Sequence, residues 1–165
     1  MLAFTFPELS GFLAVNHKNK VIRWLIAQRT ILRTKAVKEQ TRYALRVDIS
    51  NNRITAMPLP KEALFPSSGA SASPMNMSPS PTSAATSTFE CGKDLKIVDV
   101  VFSSGKEVSS QAADIIFYAR GYCDRAIIHM TDGDDQFSVY FEPFLPEVDV
   151  FEGHVQFGQR WGAGL

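Results

Sequence analysis

The sequence predicts an α+β fold, one long N-terminal amphipathic helix packed on an antiparallel β domain built as two sheets or one curled sheet. Three observations predict it. Val21, Leu25, Gln28, Leu32 and Ala36 recur at a spacing that keeps them on one face of a helix. From Tyr43 onward the apolar runs are β-branched and aromatic, with period-two alternation. Asp132-Gly133, between "IIHMT" and "QFSVYF", supplies the positive-φ positions of a tight hairpin.

The helix comes first. Pro7 fits a first helical turn, where its missing N–H costs nothing, and no Gly or Pro lies between Asn16 and Arg42. A helix of about thirty residues is expected in the first forty, with residues 1–42 a unit of their own. Its packing face carries Val21, Trp24, Leu25, Ile31 and Leu32; Arg23, Arg29, Arg33 and Lys38 are placed on a separate basic face.

The β domain is expected over 43–165. "RYALRVDI" alternates Tyr43, Leu45, Val47 and Ile49, and "SNN" turns it into a partner, "RITAMPL". Residues 59–93 form an insertion whose centre, 65–88, is a Ser/Pro/Ala stretch with little apolar area to offset the entropy of ordering it. Strand texture resumes in "DLKIVDVVFSS", "ADIIFYARG", "RAIIHMTDGDDQFSVYFEP" and "HVQFGQRW". Six to eight strands are too many for one helix to cover, hence the second sheet or the curl.

The bulk properties bound the function. With 165 residues, 45% of them hydrophobic, the chain is one domain with a sizeable core. The net charge is zero, yet His17 to Arg42 holds eight basic residues against Glu39, and Asp124 to Glu152 holds eight acids against Arg125. Such asymmetry marks either a partner surface or two solvated faces. No stretch reaches the ~20 apolar residues of a membrane helix. Leu2–Val15 is apolar but too short to span, and lacks the basic region and cleavage site of a secretory signal.

No chemistry stands out. Asp132, Asp134 and Asp135 around Gly133 lack the spacing of a calcium loop and read as a solvated turn. His17, His129 and His154 lie far apart, and no nucleophile elbow, phosphate loop or HExxH helix occurs. Ser103 and Ser104 read as a turn, and Met75 and Met77 as filler in a loop. No catalytic residue, cofactor site or metal site is expected. The apolar face of the helix, and aromatic residues kept to the strands, argue against nucleic acid as a partner. Cys91 and Cys123 permit one disulfide or two buried free thiols.

"FPELSGFL", a long basic helix and then "RTKAVKEQTRYALRVD" resemble the minor pseudopilins of type II secretion systems, the H-type group, and the related FimT-like type IV minor pilins. Pro7, Ser10, Phe12 and Leu13 match the first part of the family pattern. Arg33, Ala36 and Val37 match the Arg-x-x-Ala-Val signature that leads into the first strand. The later strands, "IIFYARGYCDRAIIHM" to "EGHVQF", are similar to the family's closing strands, so the resemblance spans nearly the whole chain except 59–93. The family's basic leader and long apolar start are absent, and the expectation is that the transmembrane half has been removed, with Met1 an artificial start. The resemblance implies a pilin-like fold and a non-enzymatic subunit of a periplasmic pseudopilus. It would be processed and methylated by prepilin peptidase and anchored by a single pass in the inner membrane of a Gram-negative bacterium. The partners implied are other pseudopilins or pilins, the inner-membrane secretion platform, the secreted substrate, and the membrane through the missing helix. It places the 59–93 loop on the outside of the filament, and a periplasmic location adds weight to the Cys91–Cys123 bridge. A minor type IV pilin for adhesion, motility or DNA uptake, and a free-standing β-domain that binds a partner, are the alternatives.

Overall fold

The computed structural model describes residues 17–60 and 86–158. The apolar stretch Leu2–Val15, the centre of the 59–93 insertion and the end of the chain from 159 lie outside the described residues. Helix α1 runs His17–Glu39, 23 residues, and no helix among the described residues is long and apolar enough to cross a membrane. Gln40, at φ 49°, closes it in the left-handed region, and Thr41 N–H donates back to the Ala36 carbonyl at 3.2 Å. That bond satisfies a carbonyl the helix end would otherwise orphan.

Nine strands follow among the described residues: β1 Tyr43–Asp48, β2 Arg53–Pro58, β3 Ser87–Glu90, β4 Leu95–Phe102, β5 Glu107–Val108, β6 Ala112–Phe117, β7 Ala126–Asp132, β8 Asp135–Phe141 and β9 Val148–Glu152. They form two antiparallel sheets, in the orders β3-β2-β1-β6 and β5-β4-β7-β8-β9. Of the two sheet designs left open by the sequence, two sheets is the one found. The β1–β2 hairpin pairs Tyr43 with Pro58 through Asp48 with Arg53, and β7–β8 turns between Asp132 and Asp135 with Gly133 at φ 63°.

Two elements differ from the sequence reading. Strand β3 falls inside the stretch expected to be loop, its Phe89 pairing with Ile54 of β2 and packing on Trp24. "HVQF" is not a strand; the last strand is β9, immediately before it. "VDVFE" had been hidden by the prolines and acids around it.

The inward faces of both sheets meet α1 in a single core. Leu45, Val47, Ile54, Ile115 and Phe117 come from the first sheet, and Ile128, Val139 and Phe141 from the second; Val21, Leu25, Leu32 and Ala36 come from the helix. Around strand β4 the alternation breaks. Ile97 faces Met130 and Asp99 faces His129, so Val98 is an extra residue. The bulge leaves Ile97 and Val100 both pointing to the core and turns Asp99 to the outer face. There Ile127 and Tyr140 form a second cluster with Val155, covered by Phe151 and Phe157.

Candidate functional site

The helix wheel decides which side chains meet a partner. At about 100° per residue, Arg29 falls about 20° past Ala36, at the margin of the arc that runs from Gln28 to Ala36, whereas Ile31 lies about 60° beyond the other edge. Val21, Leu25 and Leu32 are accordingly buried, and Trp24 is half-buried against Phe89, with ring centroids 5.5 Å apart. Ile31 does not join them; it is 42% exposed.

Arg29 leaves the basic face altogether and is 1% exposed. Its Nη1 donates to the Glu147 carbonyl, and its Nη2 to the carbonyls of Glu142 and Leu145. The guanidinium is thereby bolted to the segment joining β8 and β9. Its cation also sits over the Phe141 ring, 5.9 Å from the centroid. Burial pulls its pKa below the usual arginine value, with Arg33 nearby adding to the effect against Cys123, Asp149 and Glu142. Arg23 and Lys38 remain exposed, and Arg33 is half-buried.

Above Arg29 the helix and the β8–β9 segment enclose a cleft of about 440 Å³ lined by Arg29, Arg33, Val37, Lys38 and Pro146 together with two threonines. Gly121 packs beneath it: a Cβ at that position would meet Val37 Cγ2 at 3.3 Å and Arg33 Nε at 3.9 Å, and its φ is +86°. The turn at Gly121 therefore comes close enough to fix the base of Arg33. Beside it Tyr118 stacks on Tyr122 at 4.6 Å, and Tyr122 meets Phe144 at 6.0 Å. Phe144 is 74% exposed.

The two cysteines are free thiols. Cys91 follows β3 at the end of the first sheet where Asp48 pairs Arg53, its N–H bonded to the Asn52 carbonyl. Cys123 bridges Phe117, which pairs Tyr43 at the opposite end. Five strand residues at ~3.3 Å each place them on the order of 16 Å apart, against the ~7 Å limit for a disulfide. The bridge is therefore excluded in this fold. Burial pushes Cys91 up to about 12 and Cys123 up to about 11, so both stay protonated.

The histidines far apart in sequence come together in part. His129 Nδ1 meets Asp99 Oδ1 at 2.5 Å, Nε2 meets the Val155 carbonyl at 2.8 Å, and the His154 ring stacks on it at 3.6 Å. One ligand atom from each of Asp99, His129 and His154 lies within 4.8 Å of the others. Nε2 must donate to a carbonyl, and Nδ1 shares a proton with a carboxylate, so neither nitrogen of His129 offers a free lone pair. Stacked rings also send their lone pairs along parallel planes rather than to one point. The trio acts as a strut: Val155 N–H donates to Ser138 Oγ at 3.2 Å, and Ser138 Oγ donates to the Gly153 carbonyl at 2.6 Å, pinning the segment after β9 to the outer face. His17 is separate, 3.8 Å from Asp132 at the start of α1. Only the bulge at Val98 could have revealed the trio, since strict alternation places Asp99 in the core.

No family model matches the chain, and no curated protein matches it in sequence. Among solved structures it is similar to the minor pseudopilin EpsH from the type II secretion system of Vibrio cholerae. In one EpsH structure the TM-score is 0.57 at 11% identity, covering 86% of this chain and 100% of EpsH. In a second the TM-score is 0.56 at 11% identity, covering 86% of this chain and 98% of EpsH. The fold, one N-terminal helix with two antiparallel sheets, is pseudopilin-like.

Proposed function

We propose that the chain is a minor pseudopilin of the H-type group, a structural subunit of the periplasmic pseudopilus that drives type II protein secretion. The observation that carries this reading is a fold shared with EpsH over the whole EpsH chain. The order of motifs supports it further: Pro7 and Phe12, then Arg33, Ala36 and Val37 leading into β1. The subunit acts by assembly and catalyses nothing. Its helix is the lower part of a spine whose upstream portion anchors it by a single pass in the inner membrane of a Gram-negative bacterium, after cleavage and methylation by prepilin peptidase. Its β domain stands in the periplasm. Other pseudopilins, the inner-membrane secretion platform and the secreted substrate are its partners, and the 59–93 insertion faces outward.

The test is deletion of the gene in its host, complemented by the full coding frame. Loss of secreted proteins from the medium, with twitching motility and DNA uptake intact, is the expected result. Intact secretion with lost motility or DNA uptake would assign the chain to a type IV pilus instead. If all three persist, the free-standing binding domain takes the place of both.

A further inference from the structure

The cleft on α1 carries charge that its surroundings do not neutralise. Arg33 and Lys38 make no ion pair with a carboxylate among the described residues, while Arg29 below them is held by three carbonyls and the Phe141 ring, with Asp149 and Glu142 nearby. The lining holds no acid, while Val37 and Pro146 make its walls apolar. Alongside runs the ridge of Tyr118, Tyr122 and the exposed Phe144. Arginine and aromatic side chains clustered around a concave apolar patch are what a protein-binding hot spot requires.

We propose that this cleft docks an extended acidic segment of a partner protein, in which carboxylates alternate with bulky apolar side chains. The guanidinium of Arg33 presents a fork suited to bidentate carboxylate binding, and Lys38 adds a point charge. Lys38 lies ~7.5 Å further along the axis than Arg33 and ~140° further round it, so the two cations stand on opposite sides of Val37. Two carboxylates of a segment crossing the cleft thus reach one cation each, while its apolar side chains pack on Val37 and Pro146. The volume, about 440 Å³, takes a few side chains and no more. Two free cations beside apolar walls do not make the long row of phosphate contacts that nucleic-acid binding relies on.

The measurement is fluorescence anisotropy of a labelled ten-residue peptide alternating glutamate with leucine, titrated with the full chain at low and at high salt. Binding is expected at low salt, weakened about tenfold or more by high salt, by glutamine in place of glutamate, and by the Arg33→Glu, Lys38→Glu double variant. Lys38 is exposed, so Lys38→Glu alone, with an unchanged circular dichroism spectrum, must already weaken it. No binding, equal binding of the glutamine peptide, or indifference to charge reversal would overturn the proposal. So would displacement of the peptide by oligothymidylate binding more tightly, which would make the cleft a nucleic-acid site. The assay reads the cleft alone, so its outcome is independent of whether the chain assembles into a pseudopilus.

Discussion

Arg29 holds more of the molecule together than any other polar side chain on α1. It spans from the helix to three carbonyls of the β8–β9 segment, so truncation leaves three part-buried acceptors without their donor. Arg29→Met keeps apolar bulk yet loses every bond, and is expected to lower unfolding free energy by about 3 kcal/mol in urea denaturation. A loss within experimental error would show that water replaces the guanidinium freely. The thiols offer a second prediction. Without reductant, a thiol reagent near neutral pH should find neither cysteine quickly in the folded protein and both once it is denatured. Their folded pKa values lie above the unfolded 9.0, so between pH 9 and about 11 the unfolded chain binds fewer protons. Stability therefore falls as pH rises through that window. The fall should be smaller in Cys123→Ala, and an identical pH profile would refute the assignment. Arg29 stands only at the margin of the apolar arc on the wheel, about 20° past Ala36, and a rule that sends every arginine to the surface obscures it.

Among the elements, β4 and the segment after β9 depend on each other. The bulge at Val98 rotates Asp99 to the outer face, where His129 can link it to the Val155 carbonyl. His129→Ala removes that link and leaves Asp99 buried without its partner. Amide exchange at Val155 is expected to accelerate about tenfold or more, while the β1–β2 amides keep their protection. Unchanged exchange at Val155 would mean that the apolar contacts of Val155 and Phe157 suffice to hold the segment. Periodicity located β4, β7 and β8 because their inward residues are apolar. It missed the roles of Asp99, His129 and Ser138 because a sheet covered on both faces buries polar residues that look solvated in a half-exposed strand.

At the scale of the molecule, the two sheets are joined away from the core by Asn52. Its φ of 49° suits an asparagine in the turn between β1 and β2. Its Nδ2 donates to the Leu95 carbonyl at 2.6 Å, and Ile97 N–H donates to its Oδ1 at 2.9 Å. The side chain thus supplies backbone partners to a stretch of β4 that β5, paired only with Val100 and Val101, does not reach. Asn52→Ala is expected to cost about 2 kcal/mol and to lower the thermal midpoint. Asn52→Gly, which relaxes the backbone but restores neither bond, should recover only a few tenths of that. Full recovery with glycine would assign the effect to φ alone.

The sequence by itself determined the helix and the hairpins, and narrowed the strands to two sheets or one curled sheet. These follow from apolar periodicity and turn chemistry, which are properties of neighbours along the chain. It also determined that the helix is crowded with cations. Tertiary structure alone decided which of those cations is buried, that Cys91 and Cys123 lie at opposite ends of one sheet, and that two distant histidines stack. Each of these depends on register, on a one-residue bulge or on the packing of one element over another. A single residue of slip in any of them exchanges the two faces of a strand.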